Sequence, residues 1–426
     1  MSKRNMTKTK TTIIVGAGLA GLAVADQLVQ RGVPGRSITI LEKYDYIGGR
    51  IVSAERNGAT YEIGAGRIHT SHRRVAALIQ RYGLKTYDLD GSVQWRSLGS
   101  HRSEPNLFEP TWNTMLSLFR SLPPTTLATH TLRELAIQVL GPDHATLLLE
   151  RFPYRAETER MRADMALRVF GDTLGTQEHY YVVAGGLRQI IEGLTRDLKR
   201  RGVRFRLSTP IRNVARDSDG SYRVDLERGD AMRADQVILA LHASALKKLP
   251  ILRGFAALSH VTMEPLTRIY ASYPTPAWFG SVGRVVTDSP LRYIIPVNVE
   301  KGLVMISYTD DRDTKAWAGL QGPRLQAAIQ KEVCRLFPEL TIPEPLWIKS
   351  YEWTEGCTYW LPGNYDPVAL SKEALRPRPA TMPDLYCVGE SFSLLQAWME
   401  GALEHAEALL DLYGSRMSMS LARPPQ

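Results

Sequence analysis

The sequence predicts an α/β protein. A doubly wound dinucleotide-binding domain is interleaved with an α+β domain that carries a mixed or antiparallel sheet. Three observations predict this. The chain opens on a βαβ unit: Thr12 to Val15 is a β-branched run closed by glycines, Gly21 to Arg31 reads as a helix, and Ser37 to Leu41 as a second strand. Apolar runs that suit the same central sheet return at Gln236 to Leu241 and at Leu385 to Val388. From Thr262 the pattern changes to alternating strands, at Thr267 to Tyr273, Arg284 to Thr287, Leu291 to Val297 and Leu303 to Tyr308. The expected boundaries are 11–85, 180–255 and 376–413 for the first domain, 86–179 and 256–375 for the second, and flexible tails at 1–10 and 414–426.

The remaining elements follow from local signals. A short helix at Val75 to Arg81 is ended by Gly83. Residues 86–179 read as mostly helical, broken at Pro123 and Pro124. Gly185-Gly186-Leu187 opens a helix that reaches Arg201, and strands follow at Arg204 to Leu207 and from Val214. A helix at Arg324 to Phe337, a strand at Leu346 to Trp353 and a closing helix at Leu403 to Leu412 complete the chain.

The 426 residues suit two domains, and 44% hydrophobic with 23% charged residues is the balance of a soluble globular enzyme. The net charge of +9 is scattered. Its densest cluster, Lys199, Arg200, Arg201, Arg204 and Arg206, marks a solvated helix end, and no nucleic-acid motif accompanies it. Cys334, Cys357 and Cys387 are far apart and odd in number, so neither a disulfide framework nor a metal site is expected, and a cytoplasmic or other reducing compartment is. The basic start before Ile13 imitates a secretion signal, but cleavage there would remove the glycine fingerprint. No run of about 18 apolar residues predicts a membrane span. The oligomeric state stays open, a homodimer being one arrangement.

The chemistry begins at Gly16-Ala17-Gly18-Leu19-Ala20-Gly21. Gly16 permits a tight turn, Gly18 lets backbone approach a pyrophosphate, and Gly21 lets helix and strand pack closely. The helix N-terminus then offers free N–H groups to phosphates. Glu42, at the end of the second strand, suits two ribose hydroxyls. In Gly48-Gly49-Arg50 the glycines allow close passage and Arg50 is placed to neutralise a phosphate.

With these motifs the chain resembles the flavin-containing amine oxidase superfamily, over nearly its whole length. The resemblance extends through Tyr61-Glu62-Ile63-Gly64-Ala65, Gly185-Gly186-Leu187, Thr209-Pro210-Ile211, Gly389-Glu390 and Trp398-Met399-Glu400-Gly401-Ala402. It implies a Rossmann-like FAD-binding domain and FAD as cofactor. The implied cofactor set is Gly16, Gly18, Leu19, Ala20, Gly21, Glu42, Lys43, Gly49, Arg50, Gly64, Ala65, Gly66, Arg67, Ile211, Gly389, Glu390, Trp398 and Met399. Trp398 resembles the aromatic wall before the flavin, and Tyr359 is expected to oppose it. Monoamine oxidases carry a covalent flavin on a cysteine directly before a tyrosine. Here Thr358 separates Cys357 from Tyr359, so non-covalent FAD is expected.

The substrate is left between two classes. In L-amino-acid oxidases an arginine at the position of Arg67 holds the substrate carboxylate. In animal polyamine oxidases a histidine lies where His69 falls. Most members place a lysine where this chain has Arg268, ten residues before Trp278. Arginine keeps a charge that stabilises superoxide, but it cannot shuttle a proton. The expected activity is therefore hydride removal from the carbon beside an amine or L-amino acid, imine hydrolysis, and reoxidation by dioxygen to hydrogen peroxide. A flavin dehydrogenase, desaturase or isomerase with poor dioxygen reactivity, and a non-catalytic FAD-stabilised binding module, are the alternatives.

Overall fold

The computed structural model describes residues 10–89, 92–107, 113, 116, 119–173 and 179–418. A five-stranded, wholly parallel sheet runs in the order Arg204–Arg206, Ile38–Leu41, Thr12–Val15, Gln236–Leu239 and Leu385–Cys387. Its first strand is central, and later strands add outward on both sides, which makes it doubly wound. Successive residues of a strand face opposite ways. Ile13 and Val15 accordingly enter one buried cluster while Ile14, Ile38 and Ile40 enter another. Both faces are dry, which is why these strands are continuously apolar. The helices Leu19–Gln30, Arg188–Arg200 and Met399–Ser418 cover one of them.

A second, seven-stranded sheet is mixed. Five of its strands are antiparallel neighbours, from Trp347–Trp360 through Val261–Ser272, Leu303–Asp310 and Tyr293–Asn298 to Arg284–Thr287. The helix Gly322–Leu336 packs on one face, over Ile269, Ala271 and Ile306. The other face carries Leu266, Tyr270, Met305 and Tyr308 and meets the hairpin Ser53–Glu62.

Three expectations need correction. Residues 86–179 are not helical from the start: Thr86–Asp88, Val93–Arg96 and Glu104–Pro105 are strands, and helices follow from Pro124. Val93–Arg96 pairs in parallel with Arg284–Thr287, so its conformation is set by a partner far along the chain. The strand expected at Leu346 to Trp353 continues to Trp360. Gly356, within the continuation, lies at a register shift, where a Cβ would stand 2.7 Å from the Leu266 Cβ. Glycine permits that close approach rather than stopping the strand. The tail expected from Gly414 is helical as far as Ser418, and its residues 419–426, like residues 1–9, lie outside the described residues. Lys10, placed in the other tail, pairs with Asp384 at 2.7 Å.

Candidate functional site

A cavity of about 1360 Å³ runs from the C-terminal ends of the parallel strands to the inner face of the mixed sheet. Small-molecule sites enclose roughly 300–1,000 Å³, so this one has room for a dinucleotide and a small substrate together.

At the strand ends the wall is mostly backbone. Gly16 has φ +106, and a Cβ there would lie 2.3 Å from the Ala240 carbonyl oxygen. Gly18 is the N-cap of Leu19–Gln30, with no side chain on the helix end and nothing within 4 Å of where a Cβ would stand. The first-turn N–H groups have no partner within the helix, and Leu19 and Ala20 line the cavity. Gly21 does not line it; a Cβ there would stand 2.1 Å from the Gly16 oxygen, so this glycine lets the helix seat beneath the turn. Glu42 is buried and accepts from the Ala17 N–H at 2.8 Å and the Tyr44 N–H at 3.1 Å. A carboxylate has about four acceptor positions, so capacity remains toward the cavity that Glu42 lines. The Gly48 N–H donates to the Ala17 carbonyl, which lays Gly48-Gly49 against the glycine turn. Lys43, Gly49, Gly64, Ala65, Gly66, Ile211, Gly389 and Met399 also line this cavity.

Arg50 was expected to neutralise a phosphate, but its charge already has a protein partner. Its Nη2 donates to Glu390 at 2.8 Å and its Nη1 to the Gly356 carbonyl at 2.9 Å. Glu390 also accepts from the Ala397 N–H at 2.7 Å and the Thr358 hydroxyl at 3.1 Å. Ala397 has φ +66, a strained conformation for a residue with a side chain, and it directly precedes Trp398. The Gly389 N–H donates to Nδ1 of the buried His405. One carboxylate thus joins the Arg50 loop, the long strand and the turn that presents Trp398.

At the sheet face the wall is made of side chains. Trp398 and Tyr359 both line it, as the sequence suggests. The Arg67 guanidinium lies 4.2 Å from the Tyr180 ring centre, 4.8 Å from Tyr154 and 5.6 Å from Trp398. Among the described residues it has neither hydrogen-bond nor ion-pair partner. Arg268 donates to the Glu62 carbonyl at 2.8 Å and reaches over Tyr308. A Cβ on residue 66 would come within 2.9 Å of Arg268 Nη1, so Gly66 makes room for that guanidinium. Burial pushes the Cys357 thiol up to about 12, which keeps it protonated.

His69 was expected beside the substrate. It is wholly buried, its Nδ1 lies 2.7 Å from the Ser71 hydroxyl, its ring edge meets Tyr180, and it does not line the cavity. Among the lining residues that escaped the sequence reading are Tyr154, Glu157, Tyr270, Tyr293 and Tyr308. Strand alternation could have found Tyr270 and Tyr308, since Arg268 sits two residues from the first and directly opposite the second. Glu157 has no comparable local signal. Burial pushes its carboxyl up to about 7, against the pull of Arg67.

The family described as flavin containing amine oxidoreductase matches residues 19–408. An amine oxidase [flavin-containing] of Danio rerio is 23% identical, covering 93% of this chain and 84% of its own length. An L-amino-acid oxidase of Mus musculus is 25% identical, covering 77% of this chain; the chain spans only 58% of that relative. A putrescine oxidase structure, redesigned for cofactor binding, aligns with a TM-score of 0.74 at 17% identity, over 96% of this chain and 99% of the other. The chain belongs to the flavin-containing amine oxidoreductase family, and membership implies a flavin cofactor.

Proposed function

We propose that this flavin-containing amine oxidoreductase is an FAD-dependent oxidase whose substrate carries a carboxylate beside its amine, as an L-amino acid does. The observation that carries this reading is Arg67, a guanidinium on the cavity wall beside Trp398 with no anion of the described residues to hold. A planar guanidinium suits a carboxylate because it donates two parallel hydrogen bonds. A polyamine would bring positive charge toward it instead.

The open cradle at Gly18, the uncapped helix end and Glu42 suit the pyrophosphate and ribose of FAD. The protonated Cys357 supports non-covalent binding. When bound, the flavin supplies the hydride acceptor. Trp398 and Tyr359 orient the neutral amine, and Arg67 sets its direction by holding the carboxylate. Arg268 brings a fixed positive charge to the same space. Net conversion is of the amine-bearing carbon to a carbonyl with loss of ammonia, and of dioxygen to hydrogen peroxide. The three free thiols suit a reducing compartment.

A specific observation favours a second reading, a dehydrogenase with poor dioxygen reactivity. Arg268 is tied to a backbone carbonyl and cannot relay protons. Slow reoxidation of reduced protein by dioxygen in a rapid-mixing experiment selects that reading.

The substrate class is tested by anaerobic flavin reduction with an amino acid and its decarboxylated amine. Arg67→Ala breaks one side of a buried charge pair, which costs about 2–5 kcal/mol. That lowers reduction by the amino acid roughly 30- to 5,000-fold and leaves the amine nearly unaffected. An unchanged amino-acid-to-amine ratio overturns the Arg67 assignment.

A further inference from the structure

We infer that Glu157 is the proton acceptor for the substrate's ammonium group, so that Arg67 and Glu157 together clamp a zwitterion across the cavity. The orientation rests on the Arg67 reading above; the assignment of Glu157 rests on its own surroundings.

Glu157 lies on the short helix Arg155–Glu159, which is pinned to the mixed sheet by the Arg155 N–H donating to Asp310 at 2.8 Å. The other two charged side chains of that helix are committed. Arg155 holds Asp313 at 2.6 Å and Glu159 at 3.0 Å, and Glu159 also takes Arg312. Glu157 alone lines the cavity, and among the described residues its carboxyl has no hydrogen-bond or ion-pair partner.

The titratable groups that face it are Arg67, Tyr154, Asp310, Cys357 and Tyr359. Burial raises Cys357 and both tyrosines, so none of these carries a charge near neutrality, and it raises Asp310 as well. Among the described residues, Arg67 is the charge that acts on Glu157. It and Glu157 feel each other's charge yet form no ion pair. A ligand bearing both signs fits between them, its anion on Arg67 and its cation on Glu157. Tyr359, the expected wall of the reacting amine, lines the same cavity, and Trp398 lies beside Arg67.

An amine arrives mostly as ammonium, whose nitrogen has no lone pair, and hydride can leave the adjacent carbon only once one is freed. One N–H proton passes to a Glu157 carboxylate oxygen, and its bonding pair stays on nitrogen. No electron leaves the substrate in that step, and Glu157 returns the proton to solvent when product departs. A carboxyl near pH 7 is suited to both halves, since it is mostly ionised above that pH and readily protonated.

The test uses holoprotein and two probes: 2-aminoisobutyrate, which has no α-hydrogen and cannot be oxidised, and tert-butylamine, which lacks both the α-hydrogen and the carboxylate. At pH 8, 2-aminoisobutyrate should produce the infrared band of a protonated carboxyl on binding. Glu157→Gln should abolish the band and weaken binding about 10- to 100-fold. Affinity should return at a pH where the probe is already a free amine, and Glu157→Asp should restore the band in part. If 2-aminoisobutyrate binds in an Arg67-dependent way with no band, and equally in Glu157→Gln, the proposal is overturned and the Arg67 reading survives. If tert-butylamine gives the band as strongly, Glu157 stands and the Arg67 reading falls. If neither probe perturbs the protein, both fail.

Discussion

At the strand ends of the cavity, Gly16, Gly18 and the N-terminus of Leu19–Gln30 present backbone to the ligand, with the Glu42 carboxylate beside them. At the sheet face, Arg67, Tyr154, Glu157, Arg268, Tyr359 and Trp398 present side chains drawn from five separate stretches of chain. The first wall depends on conformations that only certain residues adopt, so it tolerates little change. The second depends on which side chains happen to converge, so it can be altered while the scaffold stands. A family whose relatives include an amine oxidase, an L-amino-acid oxidase and a phytoene desaturase varies its substrates in keeping with that division.

The sharpest way to break the comparison is Gly16→Ala set against Tyr154→Phe. The first forces a Cβ into the Ala240 carbonyl at a positive φ, and costs on the order of 3 kcal/mol. It should leave protein that retains little flavin, whereas Tyr154→Phe should keep a full complement. Equal flavin loss in the two would erase the distinction.

A smaller effect separates Glu42→Ala from Arg268→Ala. Each charge-assisted hydrogen bond to Glu42 is worth about 1.5–3 kcal/mol, so FAD binding should weaken at least about tenfold in the first variant. The second should keep its FAD and lose reactivity. Titrating apoprotein with FAD reads the difference, and equal dissociation constants would contradict it.

A pH effect tests the joint between the two walls. Burial holds His405 near 4 against an ordinary 6.5, and its Nδ1 accepts the Gly389 N–H only while unprotonated. The unfolded chain therefore takes up the proton first as pH falls. The stability contribution is complete above pH 6.5 and is lost progressively between 6.5 and 4. Melting temperature and retained flavin should decline together across that window, and less steeply in His405→Gln. An identical slope in the variant would remove His405 from this role.

The smallest expected effect is none. Cys357→Ser should release as much flavin into the supernatant after acid precipitation as the parent protein does. Flavin that stays with the parent's pellet and not with the variant's would show a covalent bond at Cys357.

The glycine fingerprint, the all-apolar strands and the acidic residue after the second strand were legible because each is a local demand of backbone conformation. Gly16 must be glycine wherever its turn is made, and Thr12 to Val15 must be apolar wherever both faces are covered. The chain order alone therefore determined the doubly wound sheet and the family resemblance. The strand at Val93–Arg96 and the full length of Trp347–Trp360 were not legible, because pairing with distant strands, and not local propensity, stabilises them.

The same distinction divides the site. Arg67 and His69 stand two residues apart, and nothing local says which faces the cavity. The pairing of Ile68–His69 with Tyr180–Tyr181, and the burial of His69 against Ser71 and Tyr180, decide it. Arg50, which reads as a phosphate ligand, lines the cavity and also pairs with Glu390, 340 residues away, which no local signal shows. Glu157 is one carboxylate among many until the fold commits its charged neighbours elsewhere and leaves it lining the same cavity as Arg67. The sequence determined the cradle by itself because a cradle is made of backbone that neighbouring residues dictate. Only the tertiary structure decided which charges remain unspent, because neutralisation is a property of residues brought together from far apart.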